Sequence, residues 1–401
     1  MRCRRCSPTL WKTNSNTSRT MKIPSIFDDI RPYEPEELPQ AFDRLLADRQ
    51  FCAVVAYLYP NVPLEAIAMK MKACATNLDF QKTFCYGFLE NLLAKASRGC
   101  DMDVDAVSIE RRYTFVSNHR DIVLDSALLD KLLIDVGFTT TCEIAIGDNL
   151  LSLPWVKDLV RINKSFIVER SLPPRQMLMA SKRMSEYMHF AIAEKKENIW
   201  IAQREGRAKD SNDRTQPAIL KMMAMGGEGS PLERLKALHI VPLSISYEYD
   251  PCDFLKAKEL QQRRDNADFR KSANDDVVSM RTGIMGYKGR IHYHCAPCID
   301  DYLDTLVDVP KGEFFDRVAE HIDQEIHRHY RLYPNNFVAL DLLDGTDAHA
   351  GRYTETDKKA FLAYMDKQLS KVDLENPDID FLRERMLAMY ANPARNQLAL
   401  S

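Results

Sequence analysis

A histidine followed closely by two aspartates is the strongest chemical signal in the sequence. His119 comes directly after an apolar run and Ser117-Asn118, and Asp121 and Asp125 follow it. The apolar run predicts a β-strand and the stretch after Asp125 predicts a helix. His119 would then stand at the carboxyl end of a strand, where open α/β sheets bind ligands. A carboxylate within about one helical turn can orient the imidazole as a general base. The alternative is a polar cluster that only begins the helix, since serine, asparagine and aspartate are preferred there.

Three later predicted strands also carry residues that could contribute to a ligand site. Arg170 follows the first, Gly206, Arg207 and Lys209 follow the second, and the third has Pro242 near its start. An arginine suits an anionic ligand because its planar guanidinium pairs with two oxygens of a phosphate or carboxylate. A glycine lets the backbone approach a ligand closely. Any one of these strand ends alone is typical of solvated charge, but four in series predict a single site.

The four segments, in this order and at these separations, resemble the four sequence blocks of the glycerolipid acyltransferase superfamily. This superfamily comprises the glycerol-3-phosphate and lysophosphatidic acid acyltransferases. His119 matches the histidine of the first block, His-x4-Asp, and Phe166 before Arg170 resembles the second block. Glu205-Gly206-Arg207 resembles the third block, and Val241-Pro242 the apolar fourth block. The resemblance covers about residues 111–251 and does not include the helical ends.

Three departures from the family pattern indicate a divergent branch. The aspartate position of the first block holds Leu124, and the acid falls one residue later, at Asp125. The arginine position of the third block holds Ala208, so that Arg207 or Lys209 would have to supply the positive charge. Arg170 also lies one residue later than its counterpart in the family. These shifts leave the identity of the acceptor open.

The resemblance implies an acyltransferase of membrane lipid biosynthesis. His119 would act as general base on an acceptor hydroxyl, and Asp125, or alternatively Asp121, would fix its tautomer. The hydroxyl would attack an acyl thioester directly, without an enzyme nucleophile, a cofactor or a metal. The donor would be acyl-carrier protein or acyl-CoA. The acceptor would be glycerol-3-phosphate, lysophosphatidic acid or a related lyso-lipid with a phosphate or carboxylate. The residues predicted to bind substrate are Arg120, Phe166, Arg170, Glu205, Gly206, Arg207, Lys209 and Pro242.

Two other interpretations of the same residues assign the protein to a different functional class. His119-Arg120-Asp121 spells the catalytic-loop triplet of protein kinases, but the expected asparagine position is Ser126, and no Asp-Phe-Gly follows. The second alternative is a lipid-binding relative of the acyltransferases that kept the fold and lost the chemistry. The altered residues after Glu205 are its main support, and measurable acyl transfer would exclude it.

Composition limits the compartment and the partners. The chain has 401 residues, 45% hydrophobic and 28% charged, and its net charge of -3 predicts no nucleic-acid partner. No apolar run reaches the ~18 residues of a spanning helix, so that any membrane contact would be peripheral. Together with the resemblance and the cysteines described next, this predicts a cytoplasmic protein bound peripherally to the inner face of a membrane. The ten cysteines lie mostly in apolar stretches, as is typical of reduced thiols. Cys3/Cys6 and Cys295/Cys298 each have the Cys-x-x-Cys spacing of zinc ligands. A zinc site made of these four cysteines is therefore an alternative.

Alternating β-like and helical stretches predict an α/β fold with a three-layer core and a mixed or mostly parallel sheet. We expect a disordered tail at 1–20, a helical region at 21–110, an α/β domain with the acyltransferase resemblance at 111–300 and a second helical region at 301–401. The charged stretch 256–268 predicts an exposed helix. The predicted strands are 113–116, 140–146, 165–168, 199–202, 239–246 and 291–294.

Overall fold

Seven strands form a single mixed sheet in the computed structural model, which describes residues 22–170 and 172–400. The predicted tail at 1–20, with Cys3 and Cys6, lies outside the described residues. The sequence predicts every strand except the first. The strands are β1 (Cys100–Asp103), β2 (Thr114–Ser117), β3 (Cys142–Gly147), β4 (Ser165–Val168), β5 (Asn198–Ala202), β6 (Ile240–Tyr247) and β7 (Ile291–Cys295).

Strand β2 lies at the centre of the sheet, whose order is β1-β7-β6-β2-β5-β3-β4. Strands β6, β2, β5, β3 and β4 run parallel to one another. Strand β7 is antiparallel to β6, and β1 is parallel to β7. The fold is therefore α/β with a mixed, mostly parallel sheet, as the sequence predicts.

Helices make up most of the rest of the described chain. Two π-helical segments continue α4 and α8 without a break, at Gln81–Tyr86 and Ala191–Lys195. Among the residues that the structure describes, none of the helices combines the length and the apolar composition that crossing a bilayer requires. The helices are α1 (Leu38–Ala47), α2 (Arg49–Leu58), α3 (Leu64–Lys72), α4 (Asn77–Phe80), α5 (Gly87–Ala96), α6 (Leu124–Asp135), α7 (Pro154–Ile162), α8 (Pro174–Phe190), α9 (Pro217–Met223), α10 (Pro231–Lys236), α11 (Asp253–Asp265), α12 (Ala273–Met285), α13 (Asp300–Asp304), α14 (Phe314–His329), α15 (Pro334–Asp344), α16 (Glu355–Leu369) and α17 (Ile379–Leu398).

Helices cover both faces of the sheet and complete three layers. On one face, α8, α9 and α14 bury side chains that include Tyr187, Leu220 and Ile322. On the other face, α5 and α6 bury Leu92 and Leu128 against the sheet. Strand β6 is buried at every position, as expected for a strand that is covered on both sides.

The sheet begins before the domain boundary that the sequence predicts at residue 111. Strand β1 lies in the region predicted to be helical, and its residues pair in register with β7. Cys100 and Met102 pack on the core, whereas Asp101 and Asp103 alternate with them. A short strand that is half charged is typical of a sheet edge and gives little hydrophobic signal. The predicted boundary at 300 also divides the core, because α14 packs on the sheet.

The segment before α1 lies along β4, the strand at the opposite edge of the sheet. The Ile167 amide donates a hydrogen bond of 2.8 Å to the carbonyl oxygen of Ile30. Phe27 and Ile30 are buried in the same core as α8. The Arg161 guanidinium donates to the carbonyl oxygen of Arg31 at 2.8 Å. The edge of β4 is therefore covered by this chain's own N-terminal segment.

Asp130 on α6 is a buried carboxyl group whose ionisation the fold opposes. Burial raises the pKa of Asp130 to about 7, from an ordinary value of 3.8. Between these values the unfolded chain binds fewer protons than the folded one, so stability falls as pH rises through this window. We expect Asp130→Asn to be more stable than the wild type at pH 8, by on the order of 1 kcal/mol or more. Urea denaturation at a series of pH values measures this difference.

Below about pH 4 the difference should shrink, since both side chains are then neutral. Asp105 is exposed, so Asp105→Asn serves as the control and should change stability little at either pH. An Asp130→Asn variant with no gain in stability at pH 8 would show that the folded protein tolerates the ionised carboxylate of Asp130.

Candidate active site

His119 and Asp125 form a hydrogen-bonded pair at the carboxyl end of β2. His119 Nδ1 lies 2.8 Å from Asp125 Oδ2. The Asp125 side chain is fully buried, and that of His119 is 15% exposed. A carboxylate at Nδ1 favours the imidazole tautomer that carries its proton on that nitrogen, which leaves Nε2 to act on an external group. The pair therefore has the geometry of a general base with its orienting partner.

The loop between β2 and α6 holds the Asp125 carboxylate in place. Besides the imidazole, Asp125 Oδ2 accepts the backbone N–H groups of Arg120 at 2.6 Å and Asp121 at 3.0 Å. Leu124 occupies the position at which the resemblance would require the aspartate, and it is fully buried in the core instead. The shift by one residue therefore brings Asp125, at the start of α6, against the histidine.

Asp121, the alternative partner of His119, accepts hydrogen bonds from the backbone instead. Its Oδ1 accepts the N–H groups of Val123 at 2.9 Å and Leu124 at 2.8 Å, where α6 begins. Burial and the nearby charge of Asp125 raise the pKa of Asp121. A side chain on Gly283 of α12 would place its Cβ 1.9 Å from Asp121 Oδ2, so this glycine permits the close approach.

Three side chains near His119 fix the end of β2. The Asn118 amide makes two hydrogen bonds to the backbone of Ile245, with Nδ2 donating at 2.9 Å and Oδ1 accepting at 2.8 Å. Trp200 Nε1 donates to Ser117 Oγ at 3.0 Å. The Trp200 ring also packs edge-on against the His119 ring, with centroids 5.7 Å apart. The histidine is thus held between β5 and the loop that leads into α6.

The sheet topology predicts a crevice next to His119. From β2 the chain continues into α6 on one face of the sheet, and from β5 it continues into α9 on the other face. Neighbouring strands whose connections leave to opposite faces create a crevice at their carboxyl ends, which is where α/β proteins bind ligands. The segment that contains Glu205, Gly206, Arg207 and Lys209 begins there, since the Gln203 amide donates to the Ser117 carbonyl oxygen at 2.8 Å.

The predicted anion-binding residues differ in whether a carboxylate of the protein already pairs with them. Arg170 NH1 lies 3.7 Å from Glu205 Oε1, and both side chains are partly exposed. Lys209 Nζ lies 2.7 Å from Glu259 Oε2, and burial together with the Arg207 charge lowers the pKa of Lys209 to about 8. Arg207 is buried, and within the described part of the chain its NH1 has no hydrogen-bond partner. Arg207 is therefore the cation best placed to take an anionic group.

Gly206 separates the two charged positions that flank it. Its φ of +67° lies in the left-handed region, which side chains other than glycine adopt only with strain. Nothing lies within 4 Å of a Cβ built on this residue, so the backbone here borders open space. The turn lets the chain fold back between the exposed Glu205 and the buried Arg207.

Arg120, which the sequence predicts to bind substrate, is buried in a network of charged residues. Its side chain is only 5% exposed, and its NH1 lies 3.4 Å from Asp213 Oδ2. The Arg120 carbonyl oxygen accepts a hydrogen bond from Lys256 Nζ at 3.2 Å, and the same ammonium lies 2.5 Å from Asp250 Oδ2. These four residues form a buried charge network directly beneath the His119 loop. Arg120 therefore supports the loop from below, and its contact with substrate stays a prediction.

Phe166 and Pro242, which the sequence also predicts to contact substrate, are buried inside the sheet. Phe166 is fully buried in β4 and packs on the Tyr187 ring, with centroids 5.5 Å apart. Pro242 is buried in β6, opposite Val116 of β2. Both residues hold buried strand positions of the fold, and their contact with substrate stays a prediction.

Asp213 is a site residue that sequence reasoning missed. Burial raises its pKa, while the nearby charges of Arg120, Lys256, Arg204 and His119 oppose that rise. Its Oδ1 is buried and, in residues 22–170 and 172–400, accepts no hydrogen bond. No motif marks this position. Trp200 and Lys256 were missed for the same reason, whereas a glycine inside a helix, such as Gly283, could have indicated close packing.

A cavity of about 370 Å³, whose lining does not include His119, lies between α14 and α17. Its lining includes Arg214, Asp323 and His327, and is largely polar. Burial raises the pKa of Asp323 to about 6, and burial together with the Arg214 charge lowers that of His327 to about 4.

The chain was compared with known families, curated proteins and solved structures. No known family model matches the chain, and no curated protein sequence matches it. Among solved structures, the chain is similar to the crystal structure of the 1-acyl-sn-glycerophosphate (LPA) acyltransferase, PlsC, from Thermotoga maritima. The two are 12% identical with a TM-score of 0.36, over 73% of this chain and 94% of that chain. The chemistry proposed next rests on the geometry of the site itself.

Proposed function

We propose that the protein is an acyltransferase that moves an acyl group from a thioester donor to a hydroxyl group of an acceptor with an anionic headgroup. The observation that carries the proposal is the His119–Asp125 pair, with its 2.8 Å contact, at the carboxyl end of the central strand. A partly exposed imidazole on a fully buried carboxylate is what proton abstraction from a hydroxyl requires. The acceptor class is glycerol-3-phosphate, lysophosphatidic acid or a related lyso-lipid, and the donor is acyl-carrier protein or acyl-CoA.

In the proposed reaction, His119 Nε2 takes the proton of the acceptor hydroxyl as its oxygen attacks the thioester carbonyl carbon. A carbon–oxygen bond forms, and the carbon–sulfur bond breaks when the tetrahedral intermediate collapses. The imidazolium then gives its proton to the departing thiolate, so that the products are an ester and a free thiol. Asp125 stabilises the imidazolium between these two steps and keeps Nε2 directed outward.

The free charge of Arg207 supports the choice of an anionic acceptor. Its buried NH1 has no partner among the described residues, and a buried donor left unpaired costs free energy. A phosphate or carboxylate oxygen would satisfy it. Arg170 would add a second contact to the anionic group if it separated from Glu205. This ion pair is exposed and its atoms are 3.7 Å apart, so that breaking it costs little free energy.

A second candidate is a lipid-binding relative without catalytic activity. It is favoured by the pairing of Lys209 with Glu259, which removes one predicted cation from the substrate. It is also favoured by Ala208, which is buried at the family's arginine position.

Acyl transfer by the purified full chain separates the two candidates. Acyl-carrier protein and coenzyme A thioesters would be supplied with each of the three acceptors, presented in phospholipid vesicles, and product would be followed by mass spectrometry. Sedimentation of the vesicles in the same assay reports the proposed peripheral binding to a membrane. Transfer to one acceptor supports the enzyme and identifies its substrate. Acceptor binding without transfer, from folded protein, would favour the non-catalytic relative.

Replacing Arg207 with alanine should weaken binding of the acceptor's anionic group. A hydrogen bond to a charged group is worth about 1.5–3 kcal/mol, so we expect the acceptor KM to rise about ten- to a hundredfold. The kcat at saturating acceptor should change much less, because His119 is untouched. Arg317→Ala, on the exposed side of α14, is the matched control. An unchanged acceptor KM in Arg207→Ala would assign anion binding to other residues.

A further inference from the structure

A second cluster of chemically active side chains lies at the opposite end of the sheet from His119. His239 stands just before β6, and Cys298 and Asp300 follow β7. His239 Nδ1 lies 2.7 Å from Asp300 Oδ2. One ligand atom from each of the three residues lies within 4.8 Å of the other two. Because Thr114 of β2 pairs with Ile240, this cluster is at the amino end of the central strands, and His119 is at their carboxyl end.

The backbone around the cluster is firmly held. His239 has a φ of +47°, in the left-handed region, and its amide donates to the carbonyl oxygen of Lys236 at 3.1 Å. The Ile299 amide, between the other two residues, donates to the carbonyl oxygen of Ile240 at 2.9 Å. The loop that carries Cys298 and Asp300 is therefore tied directly to the strand that follows His239.

We propose that His239, Cys298 and Asp300 form a zinc site. Imidazole nitrogen, thiolate sulfur and carboxylate oxygen are the three donor types that zinc prefers. Tetrahedral coordination at the usual bond lengths of about 2.0–2.3 Å separates ligand atoms by roughly 3.3–3.8 Å. The observed separations, from 2.7 Å up to a limit of 4.8 Å, require only side-chain rotations to reach these values. Zinc would replace the proton of the Cys298 thiol.

Two features of the Asp300 carboxylate support a ligand role. Its Oδ1 is buried and has no hydrogen-bond partner in the part of the chain that the structure describes. Its side chain is 14% exposed and that of His239 is 34% exposed, so the cluster is within reach of an ion from solvent. With three protein ligands, the fourth position would be open to water, as it is in zinc sites that carry out chemistry.

The charge of Arg111 offers a way to distinguish a metal site from a cluster that only stabilises the fold. Its NH2 lies 3.3 Å from His239 Nδ1 and 3.7 Å from Asp300 Oδ2, where its charge would repel a metal ion. The side chain is 52% exposed and lies over the Tyr113 ring, so it can move aside. Removal of this charge should therefore strengthen metal binding.

The proposed ligands differ from the cysteine pairs that the sequence suggests. Cys295 has the zinc-like spacing to Cys298, but it is fully buried in β7 and does not belong to the cluster. Cys3 and Cys6 could still bind a metal of their own. They must be changed to serine in the background protein so that any signal comes from the cluster.

The test is titration of the full chain, as Cys3→Ser/Cys6→Ser, with Co²⁺ as a spectroscopic probe for zinc. We expect one equivalent to bind, with a near-ultraviolet charge-transfer band from the thiolate and visible bands of tetrahedral intensity. Added Zn²⁺ should remove both. Cys298→Ser should lose the charge-transfer band, and His239→Ala should weaken binding at least tenfold. Cys52→Ser, on distant α2, should leave the spectrum unchanged.

Arg111→Gln should tighten Co²⁺ binding about two- to fivefold, the size expected for an exposed charge. Circular dichroism of each variant would show that the fold is retained. The proposal is overturned if no charge-transfer band forms, if the band survives Cys298→Ser, or if Arg111→Gln weakens binding.

Discussion

Replacing His119 with alanine should lower acyl transfer by about 10²–10⁴-fold, the usual contribution of a positioned general base. The variant loses the atom that accepts the hydroxyl proton, while Asp125 keeps its two backbone hydrogen bonds from Arg120 and Asp121. His119 is partly exposed and lies outside the apolar core, so the fold should survive. Initial rates with saturating donor and acceptor measure the effect, and thermal unfolding checks the fold.

A matched histidine separates this effect from a general loss of stability. His321 stacks on the Tyr302 ring, with centroids 3.7 Å apart, and is remote from the crevice. His321→Ala should keep near-normal turnover. Asp125→Asn should also lose much activity, since the amide cannot stabilise an imidazolium as a carboxylate does. Near-normal turnover in His119→Ala would refute the proposed base and, with it, the proposed mechanism.

Replacing Lys256 with methionine should destabilise the protein by about 3–5 kcal/mol, as is usual when one partner of a buried ion pair is removed. Lys256 and Asp250 are both almost fully buried, with Nζ 2.5 Å from Oδ2. Burial alone would raise the pKa of Asp250, but Lys256 and Arg120 outweigh it and lower that pKa. The variant leaves this charge with weaker compensation. Urea denaturation at neutral pH measures the loss.

The pH dependence of that loss tests its electrostatic origin. Asp250 has a lowered pKa, so its contribution is present above the ordinary value of 3.8 and disappears as pH falls through the folded value. The gap between the wild type and Lys256→Met should therefore narrow on acidification. Lys258→Met, on the same helix and partly exposed, should cost little. A Lys256→Met loss below about 1 kcal/mol would mean that the pair adds nothing net, as some buried pairs do.

Local patterns were sufficient to predict the strands that surround His119. Strand β4 is predicted at its observed bounds because its apolar run is short and continuous, and β2 and β5 are predicted within a residue at each end. Local patterns could not choose between Asp121 and Asp125. Only the course of the chain at the start of α6 places one carboxylate on the imidazole and the other on the backbone.

Burial of charged residues is what the sequence could not predict. The stretch 256–268 predicts an exposed helix, but Lys256, Glu259 and Gln261 of α11 are buried, because α16 and α17 pack against that helix. The same limit applies to the cations near His119. Lys209 pairs with Glu259, a residue far along the chain, and no local pattern contains that pairing.

The N-terminal segment along β4 has a consequence for shortened versions of the chain. An open strand edge presents unpaired amide and carbonyl groups that recruit strands from other molecules. With Ile30 in place, the amide of Ile167 is already occupied, and Phe27 shields the apolar residues next to it. A chain shortened to begin after Arg31 would therefore expose the edge of β4, where strands of other molecules could pair with it. Solubility and aggregation, rather than catalysis, would be the first properties to change.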